Sequence, residues 1–191
     1  MKTKFLCSSF LGSQNLFTSE VCLRNKHIGF IPTASVVEEY SDYVTETYNF
    51  FEKSAQQITK IELDQISFVQ LEDVLKRIDI LFISGGNTFY LLEAVKRSGL
   101  AQLLEEYLAN GNYLIGESAG AVIMTPDITY INAMDDPKKA MLSDTNGLSL
   151  VDRPIIPHVA STYLGEAAET LLKQFQNQVH YALSDEEALF F

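Results

Sequence analysis

Gly116-Glu117-Ser118-Ala119-Gly120 has the spacing G-x-S-x-G, the pattern of a serine placed on a tight turn for attack on a carbonyl. The glycines have a steric purpose, since a nucleophile on a sharp strand-to-helix turn needs neighbours without side chains. Taken alone the pattern is weak, because chance supplies it in about one chain in twenty of this length. Its surroundings add to it. Tyr113-Leu114-Ile115 reads as a strand leading in, and Ala119 to Met124 as a small-residue helix leading out. The backbone N–H of Ala119 would then point from a helix N-terminus toward a developing oxyanion.

A serine nucleophile needs a base, and the base needs an orienting acid. The chain has three histidines, His27, His158 and His180. His27 opens one expected strand and His180 lies near the start of another, so both read as structural or surface residues. His158, in Ile155-Ile156-Pro157-His158, follows an apolar run and precedes a helical pattern, which puts it at a strand end. Asp185 and Glu186 follow the penultimate expected strand and are candidates for the acid, with Asp135 or Asp136 as alternatives.

Gly85-Gly86-Asn87-Thr88 is a second glycine turn at the end of an apolar run and the start of a helical one. In open parallel sheets the loops at the carboxyl ends of strands line the binding crevice. Gly86 could therefore supply a second oxyanion donor. A phosphate loop is disfavoured, because G-x-G-x-x-G and G-x-x-x-x-G-K-[ST] are both absent. Asn87 and Glu117 border the two turns and are candidate substrate-binding residues. Glu117 could hold a substrate amine or simply pack at the sheet edge.

Alternating strands and helices would position these groups. Strands are expected at 4–10, 27–32, more weakly 60–63, then 79–84 and 112–116, with closing strands at 179–183 and 188–191. Helical spacing runs over 35–58, where Ser35 and Glu38 have the form of a capping box, and over 68–77, 88–96, 100–109 and 162–178. Residues 125–157, with four prolines, read as loops and a hairpin. The apolar run Asp79-Ile-Leu-Phe-Ile-Ser84 suits a central strand buried on both faces. The expectation is a single α/β domain over 1–191, a parallel or mixed sheet with helices on both faces. The order Ser, His, acid differs from the Ser, acid, His order of α/β-hydrolases.

Composition narrows the function. Twenty-five acidic against fourteen basic side chains give a formal charge of -11, and the basic residues are scattered. That disfavours nucleic acid, whose phosphates need clustered Lys and Arg. No apolar run reaches the roughly 18 residues of a membrane span. The apolar N-terminus, broken by Ser8, Ser9 and Gly12, reads as a first strand rather than a signal peptide. Cys7 and Cys22 read as reduced thiols of a cytoplasmic protein, and no His or Cys pair has metal-ligand spacing. Neither a metal nor a cofactor is expected. Monomer and homodimer stay open, and the ending Leu-Phe-Phe suggests a further C-terminal segment.

Together Ser84-Gly85-Gly86-Asn87-Thr88-Phe89, Gly116-Glu117-Ser118-Ala119-Gly120-Ala121, Pro157-His158 and Leu183-Ser184-Asp185 resemble the peptidase E family of serine peptidases, family S51, which includes cyanophycinase. The resemblance covers roughly residues 80 to 190. It implies a class I glutamine amidotransferase-like, flavodoxin-like fold with serine in place of the elbow cysteine. It implies Ser118 as nucleophile, His158 as base, Gly86 and Ala119 as oxyanion donors, no cofactor, and a short peptide as substrate. The family's acid falls on Asp185, with Glu186 one residue away. Aspartyl dipeptidases of this kind hold the substrate's aspartate with an arginine in the helix after the histidine. Here 162–178 contains Lys173 but no arginine, the chain's four being Arg24, Arg77, Arg97 and Arg153. A dipeptidase broader than one for N-terminal Asp is the resulting expectation. An esterase or amidase of small acyl compounds, and a silent binding domain, are the alternatives.

Overall fold

The structure, a computed structural model, describes residues 2–191. The central strand β4 (Ile80–Ile83) is buried along its whole length, and its side chains divide by the period of two that a pleated strand imposes. Ile80 and Phe82 face one core, Leu81 and Ile83 the other. On the first side Phe82 stacks on Phe30 at 4.9 Å, and Phe10 stacks on Phe51 at 4.9 Å. Each such fully buried ring contributes roughly 1.5–3 kcal/mol. Phe10 comes from α1 (Phe10–Thr18) and Phe51 from α2 (Asp42–Ser54), so these two helices cover that face. The opposite face is covered by α3 (Phe68–Leu75), α4 (Thr88–Ser98) and α5 (Leu100–Ala109).

Around β4 lie β1 (Lys4–Cys7), β2 (His27–Ile31), β3 (Gln57–Lys60), β5 (Tyr113–Glu117) and β8 (Ala188–Phe190), in the order β3-β2-β4-β5-β1-β8. Five strands run parallel, and β8 closes the β1 edge antiparallel, pairing Leu6 with Leu189. The expected mixed α/β sheet is therefore present. A short α6 (Ala119–Val122) follows β5. Outside the main sheet, β6 (Ile155–Ile156) and β7 (Tyr181–Ala182) form a two-stranded parallel ladder, with α7 (Gly165–Gln174) between them in sequence.

Several local expectations are corrected. The first strand ends at Cys7, and Ser9 caps a helix absent from the sequence reading, its side chain accepting from Gly12 N–H. Ser35 caps nothing. Its hydroxyl turns back to the Pro32 carbonyl at 2.8 Å within a 3-10 turn, Thr33–Val37, and α2 starts only at Asp42. The third strand lies three residues earlier than expected, at Gln57–Lys60. In place of a hairpin, 125–157 holds two 3-10 turns, one isolated bridge, Asp127 to Asn146, and the short strand β6. Among the described residues no helix is long and apolar enough to cross a membrane.

Candidate active site

Strands β4, β5 and β1 are neighbours, with Ile83 beside Gly116 and Cys7 beside Glu117. Their carboxyl ends bring three loops together, the position at which open α/β sheets bind ligands. Ser118 leaves β5 with φ 47° and ψ −110°, a conformation that L-residues rarely adopt. Its N–H donates to the Cys7 carbonyl at 2.9 Å, which ties the turn to β1. The glycines on either side are sterically required. A Cβ on Gly116 would lie 2.5 Å from the Gly120 carbonyl oxygen, and one on Gly120 would lie 2.3 Å from that of Ile83.

The short β6–β7 ladder explains how two residues distant in sequence meet. It carries His158 and Asp185 outward side by side, past Leu183 N–H donating to the Ile156 carbonyl at 3.0 Å. Val159 N–H donates to the Leu183 carbonyl at 2.9 Å. His158, at φ 62°, places Nε2 2.8 Å from Ser118 Oγ and Nδ1 2.7 Å from Asp185 Oδ1. With Asp185 ionised, Nδ1–H donates to the carboxylate, which leaves Nε2 free to accept from the serine hydroxyl. The hydrogen bond from His158, together with the His158 charge and the Ser161 side chain, holds the Asp185 carboxyl below its ordinary range despite partial burial. The turn at Asp185 is set by Ser184 N–H donating to Glu187 Oε2 at 2.8 Å. Gly12 on α1 makes room for it, since a Cβ there would lie 2.1 Å from the Asp185 carbonyl oxygen.

Gly86, at φ 132°, is pressed against Ala34 and Ser35, and a Cβ would fall 2.3 Å from the Ala34 carbonyl. Its neighbour Gly85 abuts Ser118, where a Cβ would lie 3.2 Å from the serine Cβ. Among the described residues the N–H groups of Gly86 and Ala119 donate to no protein acceptor, so both are available to a ligand.

The remaining candidates have other places. Asp135 is half-buried and accepts from Thr88 N–H at 2.9 Å and from the Thr88 hydroxyl, so it caps α4 rather than orienting His158. Burial pushes its carboxyl up to about 6 against those hydrogen bonds. The Asp136 carbonyl accepts from Asn87 Nδ2 at 3.1 Å, and Glu186 is exposed to solvent. Asn87 and Glu117, expected beside substrate, are turned to the protein's own main chain. Asn87 Oδ1 accepts from Tyr90 N–H at 3.0 Å, and Glu117 accepts from Phe10 N–H at 2.8 Å and Gly85 N–H at 3.4 Å. Ser8, overlooked in the sequence, accepts from His158 N–H at 3.0 Å and donates to the Leu183 carbonyl at 2.9 Å. Its only signal was that it breaks the apolar run of the first expected strand, which the structure ends at Cys7. His27 bonds Thr59 and His180 bonds the Gln178 carbonyl, neither in contact with Ser118. No group of three metal-ligating side chains occurs among the described residues.

The model of peptidase family S51 matches residues 11–191. The chain belongs to that family. An uncharacterized peptidase of Listeria monocytogenes is 38% identical over 100% of this chain and 94% of its own. An uncharacterized peptidase of Pasteurella multocida is 40% identical over 92% of this chain and 86% of its own. The crystal structure of a candidate peptidase E protein from Listeria monocytogenes superimposes with a TM-score of 0.93 at 39% identity, covering 100% of this chain and 94% of that one. This chain and that S51-like neighbour thus share one fold over the whole of this chain.

Proposed function

We propose that this S51 peptidase is a serine-type dipeptidase acting through Ser118, His158 and Asp185, with specificity broader than N-terminal Asp. The observation that carries the reading is the continuous line Ser118 Oγ, His158 Nε2, His158 Nδ1, Asp185 Oδ1, with spacings of 2.8 and 2.7 Å. In the first half-reaction Ser118 Oγ bonds to the peptide carbonyl carbon while its proton passes to His158 Nε2. The electron pair displaced onto the carbonyl oxygen is met by Gly86 and Ala119 N–H. As the tetrahedral species collapses, the C–N bond breaks and His158 gives the proton to the leaving amine. Water then repeats the sequence on the acyl-enzyme, releasing the acid and restoring Ser118. Removing one such oxyanion donor in serine hydrolases costs about 10²–10³ in kcat, so the two N–H groups carry a large share of the rate.

Support for broad specificity comes from α7, which carries Lys173 but no arginine. Arg153 is paired with Asp152 and lies over the Tyr181 ring, and Arg97 is paired with Glu93. Hydrolysis of Asp-Leu, Ala-Leu, Met-Leu and Gly-Leu by wild type and Ser118→Ala tests the proposal. Turnover of several dipeptides, lost in the variant, is expected. Strict selectivity for Asp-Leu would sink the specificity, and turnover of simple esters alone would replace the dipeptidase with an esterase. Absence of Ser118 labelling by a fluorophosphonate would remove the nucleophile.

A further inference from the structure

Glu117 is a carboxylate enclosed in the core one residue before the nucleophile, only 3% exposed and without a cationic partner among the described residues. Burial pushes its carboxyl up to about 7, opposed by the N–H groups of Phe10 and Gly85 and by His158. An apolar side chain would fill this space at lower cost, because a buried charge without a counter-ion is expensive. What an apolar side chain cannot do is accept two main-chain hydrogen bonds at once. Oε1 accepts from Phe10 N–H, one of the unpaired donors that open a helix, here α1. Oε2 accepts from Gly85 N–H, at the turn whose next residue presents the free N–H of Gly86. Gly85 also packs directly on Ser118. One side chain therefore links the nucleophile's own strand, the first helix and the glycine turn.

We propose that Glu117 is a positioning residue that, as a carboxylate, fixes the Gly85-Gly86 turn so that Gly86 N–H meets the oxyanion formed at Ser118. This rests on the reading of Ser118 as nucleophile and deepens it. The ionisable groups around Glu117 are Cys7 on β1, Tyr43 on α2, and His158 and Asp185 beyond the turn. Burial raises the Cys7 thiol and the Tyr43 hydroxyl, each with a further push from the Glu117 charge, so both stay neutral while Glu117 ionises. Protonation of Glu117 would turn one of the two acceptors into an O–H and release the Gly85 contact.

Glu117→Gln is nearly isosteric, keeps an acceptor for Phe10 and sets an amide N–H₂ against Gly85 N–H. The expected result is a kcat lower by about 10–100-fold with KM within about twofold, a partial form of losing one oxyanion donor. Affinity for an Ala-derived amino aldehyde, which adds to Ser118 as a tetrahedral adduct, should fall by the same factor. A residue that merely supported the fold would not move these two together while leaving KM in place. In wild type, aldehyde affinity should also fall as pH is lowered through about 7, and that step should be missing in E117Q. In ¹⁵N-labelled wild type the Gly85 amide resonance should shift over the same interval, a measurement that does not depend on any variant folding. Unchanged kcat and aldehyde affinity in E117Q, a loss confined to KM, or a Gly85 resonance indifferent to pH would each overturn the proposal. Fluorophosphonate labelling of wild-type Ser118 separates the two readings. Normal labelling with an unaltered E117Q removes the role of Glu117 alone, and no labelling removes the nucleophile and this proposal with it.

Discussion

Ser8 and His158, 150 residues apart, are joined by a hydrogen bond from the His158 N–H to the Ser8 hydroxyl at 3.0 Å. The same hydroxyl donates to the Leu183 carbonyl, two residues before Asp185. A buried serine at the end of β1 thus fastens both segments that carry the partners of Ser118. Ser8→Ala would leave a main-chain N–H and a carbonyl short of a partner. We expect a stability loss of about 1–3 kcal/mol. Dipeptide turnover should fall about 10-fold, with little change in KM, as His158 loses its fixed approach to Ser118. Urea unfolding and steady-state kinetics on the same preparation check both.

Asp185→Asn keeps the shape of the side chain but can present an amide N–H₂ to His158 Nδ1 and favour the wrong tautomer. Turnover should fall by roughly 10²–10⁴-fold with the fold intact. The lower part of that range suits a carboxylate that is 40% exposed, because solvent can stand in for part of its effect. Glu186→Gln, at an exposed side chain with no hydrogen bond to His158, should change turnover less than about twofold. A larger effect at 186 than at 185 would reverse the assignment.

Gly86→Ala meets two obstacles, a φ of 132° and a Cβ 2.3 Å from the Ala34 carbonyl. Relief requires moving the turn away from Ala34 and Ser35. The variant should lose more than about 3 kcal/mol of stability, or fold with the turn displaced and turnover down at least about 100-fold. Thermal unfolding together with aldehyde binding distinguishes the two outcomes.

Glu117 makes the stability of wild type depend on pH in a calculable direction. Its folded-state value of about 7 lies above its ordinary 4.5, so its contribution is fully present below about 4.5 and is lost as pH rises through 7. Asp135, raised to about 6 from 3.8, acts in the same sense over a lower interval. Asp185 acts in the opposite sense, its stabilisation fading as pH falls below the ordinary carboxylate range. E117Q isolates the first term. Relative to wild type it should gain on the order of 3 kcal/mol between pH 4.5 and pH 8. Urea midpoints at the two pH values measure the gain, and equal differences at both would contradict it.

What could be read from the sequence was what is local. The 116–120 and 85–88 motifs each span a few residues at a strand end, and the strands leading into them are continuous apolar runs whose pattern survives any packing. The start of α1 was hidden because Phe10-Leu11 resumes the apolar stretch of β1 after Ser8-Ser9, and only the Ser9 cap marks the change. Ser35 with Glu38 had the right spacing for a helix start, yet its hydroxyl found a carbonyl behind it and the turn stayed 3-10. Choosing among Asp185, Glu186 and Asp135 needed the β6–β7 ladder, two residues per strand and too short to leave a periodic signal. Glu117 was conspicuous, but its partners lie 107 and 32 residues away, and no spacing rule connects them.

Ser118 and His158 both hold positive φ angles, 47° and 62°, in a backbone region that glycine enters freely and other residues enter at a cost of order 1–3 kcal/mol. The two side chains of the proposed serine–histidine pair thus sit where the main chain would rather have none. A population of this gene selected only for surviving heat, with no demand on turnover, should shed these positions early, drifting toward glycine at 118 and 158. Under the proposed mechanism, keeping both side chains at that backbone cost is what selection for turnover, and not for stability, would require.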